Sequence, residues 1–479
     1  MAKSSRSKKP SESSQASSEA SPKASKRTLG AIFLVVVIDL MGFGIVLPLL
    51  PFFAQEFAAS PWVTGALFSV FSFMQLIFSP LWGRLSDRVG RRPIMMMSTF
   101  GAVLAYLLFA FSTSLAMLFA SRILAGMMGG NISTAQAAIS DSTPADQRAA
   151  GMGLIGAAFG IGFVLGPAMA SGLASPGVLE WASQLATQWA PDSFLPALVS
   201  TPFGLPGIVA ALMSAISFVW VVWALPETAP SKVAAMEVAA HDVATEGVAT
   251  EDSSKTHSPE NDSPMRARPS VFSPRFWRQL VDQQRQTGGF LIPLLITYLL
   301  LSFGEASLYA AFPLLAEAKL GLAPQDVGIQ FFYIGMIAVI VQGGLIRPLT
   351  KRFREESLFL VGNILMVIGL AAIAWSATIL HLTLALGLLA LGKSLNTPMI
   401  TSLISKQARA DQVGEIMGTA QGFSGLGRML GPTWGGLFYG WIPESAFVAT
   451  SLVLLSTIGV AWGIRQTGQS TASELGQSQ

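Results

Sequence analysis

The sequence contains no cysteine and only three histidines, so it lacks the residues for disulfide bonds and for most transition-metal sites. Charged residues are also scarce: they make up 12% of the 479 residues, about half of their share in soluble domains. This composition excludes an ordinary soluble fold. The net charge of +3 is small, and the basic residues lie in tails and short loops, so we expect no nucleic-acid partner. No cofactor or metal is predicted.

Hydrophobic residues are abundant instead, at 51% of the chain. They form repeated runs that approach or exceed the 18 residues typical of a transmembrane helix. The sequence therefore predicts an all-α membrane protein with twelve transmembrane helices. The predicted spans are about 29–54, 62–82, 94–112, 115–138, 149–173, 204–224, 290–316, 325–346, 357–377, 380–402, 412–440 and 444–464.

Polar segments divide the chain into two halves and two tails. They contain too little apolar surface to offset the entropy lost on ordering. The predicted organisation is a disordered cytoplasmic tail at 1–28, a six-helix bundle at 29–225, a cytoplasmic linker at 226–289, a second six-helix bundle at 290–465 and a disordered cytoplasmic tail at 466–479. The longest loop on the opposite side, about 174–203, contains Trp181 and Trp189 as candidate interfacial anchors.

Lysine and arginine are concentrated in the loops that follow even-numbered spans, whereas the loops on the other side contain only Lys319. By the positive-inside rule, both termini and the long linker are expected in the cytoplasm. The sequence thus predicts a multi-pass protein of the cell membrane (inner or plasma), surrounded by lipid. We expect it to be a monomer.

The two halves repeat each other at a nearly constant offset of 265 residues (431 − 166) or 263 residues (328 − 65). The matched pairs include Gly166 and Gly431, Pro167 and Pro432, Pro61 and Pro324, and Gly65 and Gly328. Because six spans per half is an even number, both halves have the same orientation in the membrane. This pattern predicts two six-helix parallel repeats with a substrate site between them near the midplane.

The loop between spans two and three has a distinctive sequence, Gly83-Arg-Leu-Ser-Asp87-Arg88-Val-Gly90-Arg91-Arg92-Pro93. It resembles the signature of the major facilitator superfamily, which implies the major facilitator fold. The resemblance also implies a cluster that stabilises the outward-open state and includes an acid at the end of span four. An ordinary positive-inside loop would account for the arginines but not for the acid between glycines. The predicted conformational-switch residues are Gly83, Asp87, Arg88, Gly90, Arg91 and Asp141.

Spans one, five and eleven are similar to the drug:proton antiporter branch of that superfamily, which includes tetracycline exporters. Span one contains Asp39-Leu-Met-Gly-Phe-Gly-Ile-Val-Leu-Pro-Leu-Leu-Pro51, and span five contains an antiporter-like Gly162-Phe-Val-Leu-Gly166-Pro167. Span five has Ala170 and Ser171 where that motif ends in two glycines. Close packing between helices is the alternative role for such small residues, and both roles are compatible. The predicted helix-packing residues are Gly162, Gly166, Pro167, Gly431, Pro432, Gly435 and Gly436.

Four charged residues fall within spans that line the central cavity in this superfamily: Asp39, Arg122, Glu305 and Lys393. A charge at the centre of a bilayer costs about 2.5–3.5 kcal/mol, so each is a candidate functional residue. We expect two pairs, Asp39 with Arg122 and Glu305 with Lys393. Two interpretations remain open: permanent structural pairing, or exchange of at least one carboxylate's partner for a proton. The segment that begins at Arg122 also resembles an arginine motif linked with proton coupling.

The segment 387–394 fits a phosphate-binding loop expression, but it lies inside an apolar helix, where such a loop cannot form. With no nucleotide-binding domain, an ion gradient is the expected energy source and the proton the expected coupling ion. No nucleophile–base pair is evident, so we expect no enzyme activity. The predicted substrate-cavity residues are Phe43, Gln75, Asn131, Gln136, Tyr309, Asn396 and Gln421.

These features favour a secondary active transporter that exports a hydrophobic or amphipathic, drug-like small molecule by proton-coupled alternating access. A proton-coupled carrier for a polar metabolite, such as a sugar or an organic ion, is the alternative within the same class, because a fold does not specify its substrate. A transport-dead membrane sensor or scaffold is the alternative from another class. The four intramembrane charges and the acidic loop cluster argue against that last possibility.

Overall fold

A computed structural model describes residues 22–143, 148–229, 278, 281, 289–408 and 413–477. The regular structure within these ranges is helical throughout. Most of the predicted tail at 1–28 and of the predicted linker at 226–289 lies outside the described residues. The predicted span boundaries near 144–147 and 409–412 lie outside them as well.

The helices of the first half are α1 (Pro22–Glu56), α2 (Pro61–Val89), α3 (Arg91–Ala110), α4 (Leu115–Met128), α5 (Ile132–Asp141), α6 (Arg148–Leu173), α7 (Pro176–Trp189), α8 (Leu195–Val199) and α9 (Gly204–Ala224). Helices α4 and α5 are joined by a 3₁₀ turn at Gly129–Asn131 and form one span. Helices α7 and α8 lie in the predicted loop at 174–203.

The helices of the second half are α10 (Leu291–Leu320), α11 (Pro324–Ile340), α12 (Ile346–Arg352), α13 (Glu355–Ala374), α14 (Ile379–Gln407), α15 (Val413–Trp441) and α16 (Ser445–Gln477). Helices α11 and α12 are joined by a π-helical turn at Val341–Leu345 and form one span. The duplicated prolines Pro61 and Pro324 each begin a helix. Backbone N–H groups in the first turn have no acceptor within the helix, so the N–H that proline lacks costs no hydrogen bond there.

Within the described chain, eleven helical segments are long and apolar enough to cross a membrane. Helix α15 occupies the place of the remaining predicted span and has 29 residues. It is less apolar because it is rich in glycine and contains Glu415 and Arg428. The predicted class, an all-α membrane protein of two six-span halves, is confirmed.

Two helices extend beyond the predicted span limits. Helix α1 begins at Pro22, inside the segment predicted as a tail, and α16 continues to Gln477, inside the segment predicted as the second tail. Once a membrane span has nucleated a helix, each added residue gains a hydrogen bond without a new nucleation cost. Polar residues can therefore continue a helix past the end of an apolar span.

The predicted packing glycines lie at close helix contacts: Gly162, Gly166, Gly431 and Gly435 within their own half, and Gly436 against Pro61 of the first half. A β-carbon added at Gly166 on α6 would lie 2.6 Å from the Cα of Gly44 on α1. The equivalent Gly431 on α15 lies against the backbone carbonyl of Phe303 on α10. Thus α1 packs on α6 in the first half as α10 packs on α15 in the second half.

At one end of the molecule the two halves are in direct contact. Gly65 on α2 lies against the carbonyl of Pro432 on α15, and the Thr433 hydroxyl is 2.7 Å from the Ser69 hydroxyl. Helices α11 and α6 form an equivalent contact: a β-carbon at Gly328 on α11 would lie 3.0 Å from the carbonyl oxygen of Pro167 on α6. We call this region, at the level of the α1–α2 loop, the closed end.

Packing between the halves becomes looser toward the α2–α3 loop. On α15, a β-carbon at Gly425 would still be 3.0 Å from Leu76, whereas one at Gly422 or Gly418 would meet no atom within 4 Å. Helix α6 shows the same gradient, from a contact with Val339 at Gly160 to none at Gly156. The halves therefore separate at this second end, which we call the open end.

Candidate functional site

An ion pair lies at the centre of the second half. Lys393 Nζ on α14 is 2.5 Å from Glu305 Oε1 on α10, and the Tyr309 hydroxyl donates a 2.6 Å hydrogen bond to the same oxygen. Tyr309 is one helical turn after Glu305, so both side chains project from the same face of α10. The Lys393 and Glu305 side chains are 25% and 24% exposed. The pairing of these two residues follows the expectation from the sequence.

Aromatic residues of the first half surround this ion pair. Lys393 Nζ lies 5.4 Å from the ring centroid of Phe163 on α6, a cation–π distance. Phe163 contacts Phe43 edge-on at 5.9 Å, and Phe43 stacks on Phe71 at 5.1 Å. Tyr309 also approaches Phe68 of α2 at 6.1 Å. The charged site is thus in contact with both halves.

Asp39 has a different partner from the predicted one. Its Oδ2 accepts a 2.5 Å hydrogen bond from the Asn131 amide, and its buried Oδ1 has no hydrogen-bond partner among the described atoms. Arg122 is not paired with it, which corrects the prediction. The reason is helix register: Arg122 precedes Asn131 by nine residues, about 13 Å along a helix axis. The 3₁₀ turn between α4 and α5 places the amide, not the guanidinium, opposite Asp39.

Arg122 is nevertheless buried, at 2% exposure. Its guanidinium lies 5.0 Å from the centroid of Phe109, and Nε donates a 3.3 Å hydrogen bond to the Ser121 hydroxyl. Nη2 has no hydrogen-bond partner in the described chain, and none of the ion pairs found there includes Arg122. The Phe109 ring thus provides Arg122 with a cation–π contact.

Arg428 is a second cation without an ion pair in the described part of the chain. Its Nη1 donates a 2.8 Å hydrogen bond to the Ser424 hydroxyl, which is 2.8 Å from the Ser302 hydroxyl. It lies close enough to Glu305 to interact with it electrostatically. The core therefore contains three cations, Arg122, Lys393 and Arg428, and two acids, Asp39 and Glu305.

The predicted cavity residues separate into distinct environments. Phe43 and Tyr309 belong to the central site, and Asn131 binds Asp39. Gln75 donates a 3.0 Å bond to the Gly129 carbonyl at the break between α4 and α5. Asn396 is 2% exposed and lies 3.3 Å from the Asn363 amide between α13 and α14, away from the expected cavity position. Gln136 and Gln421 are exposed.

Phe71 and Phe163 are two residues of this site that no sequence pattern singled out. Phe163 stands between the two packing glycines of α6, a signal that the chain is held close to α1 at this point. Aromatic residues are so common in the spans, however, that this signal does not distinguish a cavity position from a lipid-facing one.

Most of the predicted conformational-switch residues meet around Arg91 at the open end. Arg91 Nη1 lies 2.6 Å from Asp87, and Nε lies 3.0 Å from Asp141 at the end of α5. Arg91 also donates a 2.7 Å bond to the Ser86 hydroxyl, which in turn donates to the Gly83 carbonyl. Arg88 is exposed and takes no part in the ion pairs of the described residues.

Glu227, which the sequence did not single out, holds the other side of this loop. Its carboxylate accepts hydrogen bonds from the backbone N–H groups of Arg91, at 2.8 Å, and Arg92, at 3.3 Å. An anion at a helix N-terminus is stabilised by unpaired N–H groups and the helix dipole. Gly90 adopts φ +114°, and a β-carbon there would collide with this carboxylate. The start of the predicted linker is therefore attached to α3.

An ion pair also stabilises the closed end. Lys319 Nζ on α10 lies 2.6 Å from Glu444, between α15 and α16, and donates a 2.8 Å bond to the Ala374 carbonyl. The hydrogen bond from Lys319 is the main cause that lowers the pKa of the Glu444 carboxyl below its usual range. Three segments of the second half are joined through this one lysine.

Two parallel six-span halves, with an ion pair and aromatic residues where the halves meet, are the architecture of a parallel-repeat transporter. The family model of the Major Facilitator Superfamily matches residues 32–352 and 294–477, which together cover most of the chain. This protein belongs to the Major Facilitator Superfamily, as the loop between spans two and three predicted. It is a multi-pass membrane transporter of that superfamily.

Relatives of known name agree with this assignment. The chain is 43% identical over 139 residues to the class H tetracycline resistance protein of Pasteurella multocida, an alignment that spans 28% of this chain and 35% of that protein. It is 27% identical over 443 residues to major facilitator superfamily domain-containing protein 10 of Bos taurus, over 85% and 86% of the two chains. The solved human organic anion transporter MFSD10 shares the fold, with a TM-score of 0.58 and 23% identity over 91% of this chain and 99% of that one.

Proposed function

We propose that this chain is a proton-coupled exporter of hydrophobic or amphipathic small molecules that works by alternating access. It acts as a monomer in the cell membrane, with both termini in the cytoplasm, and catalyses no covalent chemistry. The observation that carries the proposal is Asp39, a buried acid whose Oδ1 has no hydrogen-bond partner among the described atoms.

Asp39 is the better proton carrier of the two central acids because no ion pair has to be broken to protonate it. Its neighbour Asn131 can donate through its amide nitrogen to a carboxylate or accept through its amide oxygen from a protonated carboxyl. Glu305, in contrast, is bound by Lys393 and by Tyr309. We assign Glu305 and Lys393 to the contact between the halves and to the substrate site.

The two ends of the molecule support one direction of the cycle. If the loops rich in lysine and arginine face the cytoplasm, the open end is the cytoplasmic end and this conformation is inward-open. A substrate then reaches Lys393 and the aromatic residues from the cytoplasm or the inner leaflet. A proton that enters from outside in the opposite state would bind Asp39 and drive the return.

The aromatic lining supports the substrate class. Phe43, Phe71, Phe163 and Tyr309 offer large apolar surfaces, with one ion pair beside them to orient a polar group. Sites of this composition suit drug-sized amphipathic ligands. Two of the relatives named above differ in what their names state: one is a tetracycline resistance protein and one an organic anion transporter.

Transport of organic anions is the second candidate, and the charges of the core favour it. Three cations and two acids leave one net positive charge when all are ionised, and the described hydrogen bond of the Arg428 guanidinium goes to the Ser424 hydroxyl. A guanidinium in this position would pair with a carboxylate or sulfonate on a substrate.

Transport by purified protein in sealed liposomes tests both candidates. A lipophilic fluorescent cation and a fluorescein-type anion are supplied in parallel, with an imposed pH gradient. We expect accumulation of one probe that a protonophore abolishes, and loss of that accumulation in the Asp39→Asn variant. Accumulation that is independent of the pH gradient would contradict proton coupling. If the protein accumulates the anionic probe in preference to the cation, and Arg428→Gln loses this preference, the result would favour organic anion transport.

A further inference from the structure

A cavity of about 490 Å³ lies on the surface at the open end, away from the central site. It is formed where α1 and α3 begin and α9 ends. Its lining residues are Arg27, Thr28, Arg92, Trp223, Ala224, Leu225 and Pro226.

The cavity lies at the boundary of the membrane. Three apolar segments start or stop there: one begins at Arg27, one begins at Arg91 and one ends at Ala224. Trp223 is 86% exposed and lies in the last turn of α9. Tryptophan at the end of a span is the residue type that prefers the level of lipid headgroups.

The cavity contains two cations, Arg27 and Arg92, that no carboxylate of the described residues neutralises. Neither Arg27 nor Arg92 takes part in an ion pair within the described part of the chain. Glu227, which follows the lining residue Pro226, accepts hydrogen bonds from backbone N–H groups: those of Arg91 and Arg92 at the start of α3 and those of Thr228 and Ala229. The Arg92 guanidinium donates to the Val222 carbonyl and is thereby held at the end of α9.

The start of α13, the equivalent of the start of α3, has a different charge pattern. Helix α13 begins with Glu355 and Glu356 where α3 begins with Arg91 and Arg92, a shift of 264 residues (355 − 91). The two arginines at the start of α3 are therefore not repeated at the start of α13.

We propose that this cavity binds the phosphate of an anionic phospholipid from the leaflet at the open end. Arg27 and Arg92 bind the phosphodiester oxygens, and Trp223 packs beside the glycerol at headgroup level. Through Arg92 the lipid lies next to Arg91, so its binding stabilises the loop between α2 and α3. This function is separate from the transport site and does not depend on the substrate.

Lipid counting on the full-length protein by native mass spectrometry tests the proposal. Detergent-purified protein is titrated with dioleoyl phosphatidylglycerol and, separately, with dioleoyl phosphatidylcholine. We expect one phosphatidylglycerol to bind preferentially and to raise the thermal unfolding midpoint. Each arginine near a lipid surface contributes about fivefold to the affinity, so Arg27→Gln/Arg92→Gln should weaken this binding about 25-fold.

The control variant Arg347→Gln/Lys351→Gln removes two exposed basic residues at the same end of the second half and should retain full binding. If Arg27→Gln/Arg92→Gln fails to fold, the single variant Arg27→Gln tests the proposal, and its affinity for phosphatidylglycerol should fall about fivefold. Equal binding of phosphatidylcholine, or an equal loss in the control variant, overturns the proposal. Glycerol phosphate, a water-soluble phosphate without acyl chains, is tested in the same way. If it stabilises the protein as much as phosphatidylglycerol does, the cavity is a site for soluble phosphate and the lipid assignment is overturned.

Discussion

Gly65 lies directly against the backbone carbonyl of Pro432, and no side chain separates α2 from α15 at this point. The equivalent residues in the repeat form the same contact between α11 and α6, where Gly328 lies against the carbonyl of Pro167. The same residues that reveal the repeat in the sequence therefore close one end of the molecule. A glycine is needed here because two backbones meet, which makes the contact easy to disrupt and, for alternating access, easy to reverse.

Replacement of Gly65 by valine should force the closed end apart. The new side chain would overlap the Pro432 carbonyl, so the conformation in which this end is open should become more populated. A single cysteine at Ser69, in a chain that has no native cysteine, should then react severalfold faster with a water-soluble maleimide. Gly172→Val is the control, because a β-carbon at Gly172 meets no atom within 4 Å. An unchanged labelling rate in Gly65→Val would show that the contact does not control closure.

Replacement of Asp39 by asparagine should abolish proton-driven transport and should spare substrate binding. An amide keeps the size of the carboxyl and its contact with Asn131 but cannot carry the proton. Transport driven by a pH gradient and equilibrium binding are measured on the same preparation. Glu305→Gln is the comparison, and we expect a smaller loss of gradient-driven transport there. Full proton-driven transport by Asp39→Asn would contradict this assignment. The coupling residue would then be Glu305, or the coupling ion would not be the proton.

The ion pair between Glu305 and Lys393 should show strong coupling in a double-mutant cycle. Removal of one partner of a buried pair leaves an uncompensated charge, which costs about 3–5 kcal/mol in a fully buried site. Because these side chains are about a quarter exposed, we expect about 1–3 kcal/mol for Glu305→Gln or Lys393→Met alone. The double variant should be more stable than the sum of the two predicts. Additive losses in thermal unfolding would mean that the two charges do not stabilise each other.

Asp141 should matter more than Asp87 for the stability of the loop, although both bind Arg91. The Asp141 side chain is 17% exposed and that of Asp87 is 62% exposed, and water screens exposed ion pairs. Asp141→Asn should therefore lower the unfolding midpoint by several degrees, and Asp87→Asn by much less. Both should slow the transport cycle if the cluster controls the balance of states. Equal stability losses would contradict the role of burial.

The pair of Lys319 and Glu444 should make a small contribution to stability that depends on pH. The pKa of Glu444 is lowered by the hydrogen bond from Lys319, so the contribution is complete above the ordinary glutamate value of about 4.3. It is lost as the pH falls through the lower value of the folded state. For an exposed pair we expect less than about 1 kcal/mol. Unfolding midpoints of wild type and Glu444→Gln, measured from pH 7 to pH 3, should converge only at the acid end.

The sequence by itself determined the class of the protein. Spans are visible because apolar runs have to match the thickness of a bilayer, and the repeat is visible because equivalent helix starts and close contacts need the same residues, such as Pro61 and Pro324. The loop containing Asp87 and Gly90 identified the superfamily. These signals are local, and each can be read without knowledge of which helix packs on which.

The tertiary structure decided the partners of the central charges. Arg122 was the expected partner of Asp39, but the turn at Gly129–Asn131 presents Asn131 instead. Phe163 and Glu227 took roles that no pattern indicated, the first beside Lys393 and the second at the start of α3. The physical reason is that a membrane helix is apolar on both its lipid-facing and its core-facing sides. Hydrophobic periodicity, which reveals the buried face of a soluble helix, therefore does not reveal which side chains meet in the interior here.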